Sequence, residues 1–129
     1  MNAEAADVRL KGDRYEMKAI RLYGQRDPDQ FVYEDAPQPQ PGVGEVLIRV
    51  HATSVMWQEP TWPETWTTPA GLARRHPIPG HDVSGEVVDV GPDVTGVAVG
   101  DAIYALTDFW RDGAAAEYTV ARATDVAPK

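Results

Sequence analysis

The sequence predicts a mainly β domain, a small barrel or sandwich with one or two short helical turns. Three observations carry that expectation. Residues alternate between two faces at the period of a strand over Glu45 to Thr53, and shorter strand-like segments such as Ala102 to Leu106 follow. Turn signals such as Gly91-Pro92-Asp93 and Asp112-Gly113 punctuate the chain roughly every ten residues. Eleven glycines and eleven prolines among 129 residues leave little room for long helices.

In order, residues 1 to 16 are polar and Ala-rich without a period and are expected to be an extension, flexible or lying across the surface. A domain is expected over 17 to 129. Its first strand begins at Met17, with Ile20 and Leu22 on one side, and stops at Gly24. Phe31 to Asp35 reads as a second strand, and Pro37, Pro39, Pro41 and Gly42 as an extended connector ending in a turn. Glu45 to Thr53 is a clear strand, with Val46, Ile48, Val50 and Ala52 on one face and Leu47, Arg49, His51 and Thr53 on the other. From Ser54 to His76 periodicity fails, and Pro60, Pro63 and Pro69 predict a loop with one helical turn near Ala70 to Arg75. A strand over Val83 to Val90 contains Gly85, which marks a bulge or a close backbone approach. Further strands are expected at Ala102 to Leu106 and Ala114 to Val120.

Composition narrows the function. A net charge of -8 repels phosphate backbones and anionic lipid surfaces, so nucleic acid and membrane partners are not expected. The absence of cysteine excludes disulfides, thiolate metal sites and cysteine nucleophiles. Met1 to Glu16 has no apolar run and carries four acids, unlike a signal or transit peptide, so a cytoplasmic location is expected. Gly42-Val43-Gly44 is the start of a possible G-x-G-x-x-G, but Leu47 stands in place of the third glycine and a strand follows instead of a helix.

Four segments in order, MKAIRLYG, PGVGEVLIRVHATSV, IPGHDVSGEVVDVGPDVTGVAVGD and GAAAEYTVARATDVAPK, resemble the N-terminal GroES-like domain of the medium-chain dehydrogenases/reductases, in its quinone-oxidoreductase-like branch. The resemblance covers Met17 to Lys129. It implies a partly open β-barrel that forms the substrate side of a cleft, the other side being a Rossmann domain, not found in this sequence, that binds NAD(P)H. It further implies zinc independence. Met56 stands where zinc enzymes of the family place a metal-binding Cys and quinone reductases usually place Asn, while Gly80-His81-Asp82 matches the Gly-His-Glu motif that supplies one zinc ligand. Catalytic zinc needs three protein ligands around one point.

The candidate catalytic residues are therefore His81, Asp82 and Glu59. An adjacent carboxylate favours proton exchange at an imidazole, although the same turn residues could simply satisfy local backbone groups. Met56, Trp57, Gln58, Trp62, Trp66, Phe109 and Trp110 are candidate substrate-binding residues, an aromatic pocket for a flat ligand. The ordinary role of such side chains is packing, and together they could form an apolar face that self-associates or docks a nucleotide-binding subunit. By itself the chain is expected to bind no cofactor, and NAD(P)H enters only with a Rossmann domain supplied elsewhere. The function expected is the substrate-side domain of a zinc-independent NAD(P)H-dependent quinone, enone or alcohol-type oxidoreductase. The alternatives are a non-redox domain that binds or isomerises a small aromatic or carbonyl compound, and a structural subunit that docks onto another enzyme.

Overall fold

A computed structural model of the chain describes residues 9–11, 14–24 and 30–129. Strands β1 (Arg9–Lys11), β2 (Arg14–Leu22) and β3 (Phe31–Pro37) form an antiparallel sheet in the order β1-β2-β3. A second antiparallel sheet takes β4 (Glu45–Ala52), β5 (Asp82–Val90), β6 (Ala102–Leu106), β7 (Tyr118–Arg122) and β8 (Val126–Pro128) in the order β7-β4-β5-β6-β8. The two open sheets make a mainly β domain, as expected. Residues 1–8 and 12–13 of the expected extension lie outside the described residues, whereas Arg9–Lys11 pairs with Arg14–Glu16 as the first ladder of the small sheet.

The central strand is β4. Its alternation sends Val46 and Ile48 into one apolar cluster, with Val83, Val87 and Ile103, and Leu47 into another, with Met17, Ile78 and Tyr118. Burial on both faces is the reason for its Val-Leu-Ile run, and the change to alternation with Arg49 marks where one face opens to solvent. There Arg49 pairs with Glu86 across the β4–β5 ladder at 2.7 Å.

The last long strand begins later than its residue pattern predicts. Instead of Ala114 to Val120, the regular ladder with β4 runs over Tyr118–Arg122. The residues before it bond to the other sheet: Ile20 N–H donates to Ala115 O at 2.8 Å, and Glu117 N–H donates to Lys18 O at 3.0 Å. This stretch joins the sheets because Val50 N–H also donates to Glu117 O, at 2.9 Å.

The helical turns are also displaced from the expected Ala70 to Arg75. They lie earlier, as a 3-10 turn over Glu59–Thr61 and the single-turn helix α1 (Pro63–Trp66). Pro60 and Pro63 sit in the first turn, where a missing N–H leaves no bond unmade, so these prolines start helical turns here instead of ruling them out. Residues 70–75 instead belong to a tight reversal, with Gly71 N–H donating to Thr68 O at 2.8 Å and Thr67 bridging Ala73. No described helix is long and apolar enough to cross a membrane.

Gly85 marks the close approach that its place in a strand predicts. A Cβ there would lie 2.2 Å from Arg49 O, beside the register shift between Val50 and Ala52. The clash is with backbone of the central strand, which cannot yield without breaking the ladder. Replacing Gly85 with Ala is therefore expected to destabilise the fold by about 2 kcal/mol or more, read as a lower urea midpoint. An unchanged midpoint would show that β4 and β5 can separate locally without loss.

Candidate functional site

Three strand ends meet at one edge of the larger sheet: the exit of β4, the entry of β5 and the exit of β6. Asp82, the first residue of β5, ties two of them. Its Oδ1 accepts the Ser54 N–H at 2.7 Å and its Oδ2 accepts the Ser54 hydroxyl at 2.6 Å, while the Thr53 hydroxyl donates to the Asp82 carbonyl at 2.7 Å. The Ser54 hydroxyl, followed by the Ser54 N–H, holds the Asp82 carboxyl below its usual 3.8. Asp82 is thus an ionised clasp between the loop after β4 and the start of β5.

Glu59 is the most buried acid of the site, 1% exposed. Its Oε2 accepts the Met56 N–H and its Oε1 the Gly80 N–H, each at 2.8 Å. Its carbonyl oxygen accepts the Thr65 hydroxyl at 2.7 Å and the Trp62 N–H at 3.1 Å. The single residue therefore binds the proline-rich loop to the Pro77–His81 turn. Gly80 makes the turn possible, with φ at 87° and a Cβ position only 2.8 Å from Thr53 Oγ1.

His81 follows, 7% exposed. Its Nδ1 is 2.8 Å from Thr107 Oγ1, and the Thr107 N–H donates to the His81 carbonyl, also at 2.8 Å. On the other side of the ring, Nε2 lies 3.6 Å from Glu59 Oε1, beyond hydrogen-bond length. The ring is tilted against Phe109 at 5.0 Å, and Phe109 stacks on Trp62 at 5.8 Å. Burial keeps the imidazole below its usual 6.5; Glu59 opposes that shift, Arg74 adds to it, and Asp108 and Asp112 oppose it more weakly.

These groups border a pocket of about 90 Å³, whose walls are Met56, Glu59, Trp62, His81, Asp82 and Phe109, with Ser54 and Leu106. A wider open groove of about 620 Å³ shares Ser54, Asp82 and Leu106 with it and continues over Ala52, Tyr104 and Ala105. Of these two, only the smaller is bordered by Glu59 and His81.

Six of the ten candidate residues thus come together. The other four do not border the pocket. Trp57 is 79% exposed. Gln58 is half-buried, and its carbonyl receives the Thr61 N–H and hydroxyl. The Trp66 indole donates to Pro60 O at 2.7 Å, which braces the loop. Trp110 lies in the turn after Asp108, whose Oδ1 accepts its N–H at 2.9 Å. Thr107 is the partner that residue patterns do not single out. Its signal is that Ile103, Ala105 and Thr107 continue one buried face, so that a hydroxyl ends an otherwise apolar row.

As ligands for a metal, Glu59 and His81 stand together without a third. Among the described residues no group of three or more His, Cys, Asp or Glu side chains could hold an ion. Two side chains fall short of the three protein ligands of catalytic zinc, so the donor set does not fit that ion. Gly44, with φ at 74°, lies in the turn entering β4, and the Gly42-Val43-Gly44 turn does not form a phosphate seat at a helix start.

Residues 42–129 match the alcohol dehydrogenase GroES-like domain. An L-threonine 3-dehydrogenase of Pyrococcus furiosus is 44% identical over 73 residues, which are 50% of this chain and 19% of that protein. A chloroplastic quinone-oxidoreductase of Triphysaria versicolor is 40% identical over 88 residues, 67% of this chain and 26% of that protein. Among solved structures, the quinone oxidoreductase from Coxiella burnetii superposes with a TM-score of 0.76 at 28% identity, covering 88% of this chain and 37% of that one. The chain thus spans about a fifth to a quarter of the curated relatives named.

The depressed imidazole gives a signed expectation. Above pH 6.5 His81 is neutral folded and unfolded; as pH falls through 6.5 the unfolded chain takes up a proton that the folded chain resists. Stability should therefore drop from pH 6.5 toward the lower folded value, in a window above that of Asp82, whose contribution is lost only below 3.8. Urea unfolding across pH 5 to 8 should show this slope, and His81→Gln should flatten it. Parallel curves for the two proteins would contradict the assignment.

Proposed function

The chain belongs to the alcohol dehydrogenase GroES-like domain family, and from that premise we propose that it is the substrate-side domain of a zinc-independent, NAD(P)H-dependent oxidoreductase acting on a quinone, enone or related carbonyl compound. The observation that carries the reading is the buried Glu59–His81 pair beside a pocket walled by Met56, Trp62 and Phe109. Apolar and aromatic walls with few polar groups suit a flat, uncharged ligand. Two metal-ligating side chains at the pocket instead of the three that catalytic zinc takes support chemistry without zinc.

Reduction of such a compound adds a hydride at carbon and a proton at oxygen, and a bound nicotinamide would supply the hydride with its electron pair. The residues of this chain hold the ligand against Trp62 and Phe109 and set His81 beside the oxygen on which negative charge grows. Glu59 keeps the turn carrying His81 in place. Since the Gly42-Val43-Gly44 turn offers no phosphate seat, the nucleotide is assigned to a separate nucleotide-binding domain, in the same polypeptide or another. Val55, Met56, Trp57, Phe109 and Trp110 are exposed around or near the pocket, which supports an apolar docking face there for that domain or for a second copy.

Calorimetric titration of the chain with a naphthoquinone tests the reading. Wild type should bind, and His81→Ala and Trp62→Leu should each weaken binding roughly tenfold, about 1.4 kcal/mol. Added zinc should leave the affinity unchanged. Equal affinity in all three folded proteins, or zinc retained stoichiometrically through gel filtration, would sink the proposal.

A further inference from the structure

We propose that Thr107, a positioning residue acting with Glu59 on the opposite edge of the ring, sets His81 in the neutral tautomer with its proton on Nε2, making the pocket a seat for a hydrogen-bond-accepting oxygen such as a carbonyl. The seat rests on the reading of the pocket as a carbonyl site; the tautomer does not.

A hydroxyl 2.8 Å from Nδ1 can donate or accept, so that contact alone leaves the proton undecided. The opposite edge of the ring decides it. The polar group facing Nε2 is Glu59 Oε1 at 3.6 Å, a carboxylate oxygen, which attracts an N–H and repels a lone pair. The proton therefore belongs on Nε2, Nδ1 becomes the acceptor, and the Thr107 hydroxyl donates to it. Burial of both residues, Thr107 at 5% and His81 at 7% exposure, removes water as a competing partner. The Thr107 N–H, bonded to the His81 carbonyl, holds the two residues in register.

This arrangement turns Nε2–H toward the pocket. Among the described residues it has no acceptor within bonding distance, since Glu59 Oε1 stands off at 3.6 Å and is already bonded to the Gly80 N–H. A ligand atom that accepts completes the bond. A carbonyl oxygen accepts without needing a partner for a proton of its own. An alcohol hydroxyl would also have to place its proton, and the Glu59 and Asp82 carboxylate oxygens beside it already accept backbone or Ser54 donors, so the alcohol competes for acceptors that a carbonyl does not need. The seat therefore prefers the carbonyl member of a carbonyl–alcohol pair, and Thr107 acts on that preference through His81.

Long-range proton–nitrogen NMR of the whole chain with labelled histidine reads the tautomer directly, with the His81 signals assigned by their loss in His81→Asn. Wild type and Thr107→Ser should show a protonated Nε2 and a bare Nδ1, whereas Thr107→Val should show a mixture of tautomers or the proton on Nδ1. Cyclohexenone should shift the Nε2 signal, cyclohexenol should shift it less, and the difference should disappear in Thr107→Val and return in Thr107→Ser. A proton on Nδ1 in wild type, or a Thr107→Val spectrum like that of wild type, overturns the role of Thr107. An Nε2–H that cyclohexenone leaves unmoved overturns the seat. That last result is separate from the naphthoquinone titration, whose Trp62→Leu arm reads the aromatic walls whether or not Nε2–H bonds a carbonyl.

Discussion

A buried carboxylate, Glu59, with no cation within hydrogen-bonding distance among the described residues, holds the candidate-site edge of this domain together. Removing an ionised Glu from water is costly by several kcal/mol unless its lone pairs are satisfied, and Glu59 satisfies them with backbone N–H groups from two separate segments, at Met56 and Gly80. Hydrogen bonds to a charged acceptor are about twice as strong as neutral ones. Remove this acceptor and two N–H donors are stranded, a loop with three prolines loses its tie, and the turn carrying His81 loses its support. The left-handed conformation of Gly80 follows from the same constraint, since this backbone must approach Thr53 more closely than a Cβ permits.

A second constraint places that edge. Strand β4 is packed between the two apolar clusters, so it cannot shift in register without exposing one of them. Its exit is joined to the entry of β5 by the Asp82–Ser54 clasp, and the entry of β5 to the exit of β6 by the bonds between His81 and Thr107. The pocket is the space these three strand ends leave between them. Its polar groups are thus fixed by ladders and charge-assisted bonds, while Trp62 and Phe109 close it with apolar surface. Such a site is rigid where it needs direction and apolar where it needs contact.

Much of the fold was legible because strand periodicity is local. The alternation of Glu45 to Thr53, the close approach at Gly85 and the segment Ala102 to Leu106 all follow from side-chain pattern within a few residues. The misplacements have one cause: partners far away in sequence. Ala115 to Glu117 looks like a continuation of the strand but bonds to β2, about a hundred residues earlier. Pro60 and Pro63 look like helix breakers but occupy first-turn positions that only the surrounding loop makes helical. In the site, Glu59, His81 and Asp82 stood out as chemistry-bearing residues near characteristic turns. Trp57, Gln58, Trp66 and Trp110 stood out equally and do not border the pocket, because residue type says nothing about which way a loop turns.

The sequence by itself determined the fold class, the kinship of its motifs and the chemical inventory of the site, since these depend on local pattern and on which side chains are present. Without cysteine no thiolate metal site can form, and without the third glycine the Gly42-Val43-Gly44 turn cannot cradle a dinucleotide. Only the tertiary structure decided how that inventory is used. It separated Asp82, spent on holding Ser54, from Glu59, buried beside the imidazole, and it brought Thr107 from the end of β6 to the far nitrogen of His81. The physical reason is that a hydrogen bond acts over about 3 Å, and the bonds that join Glu59 to Gly80 and His81 to Thr107 bring together residues more than twenty positions apart.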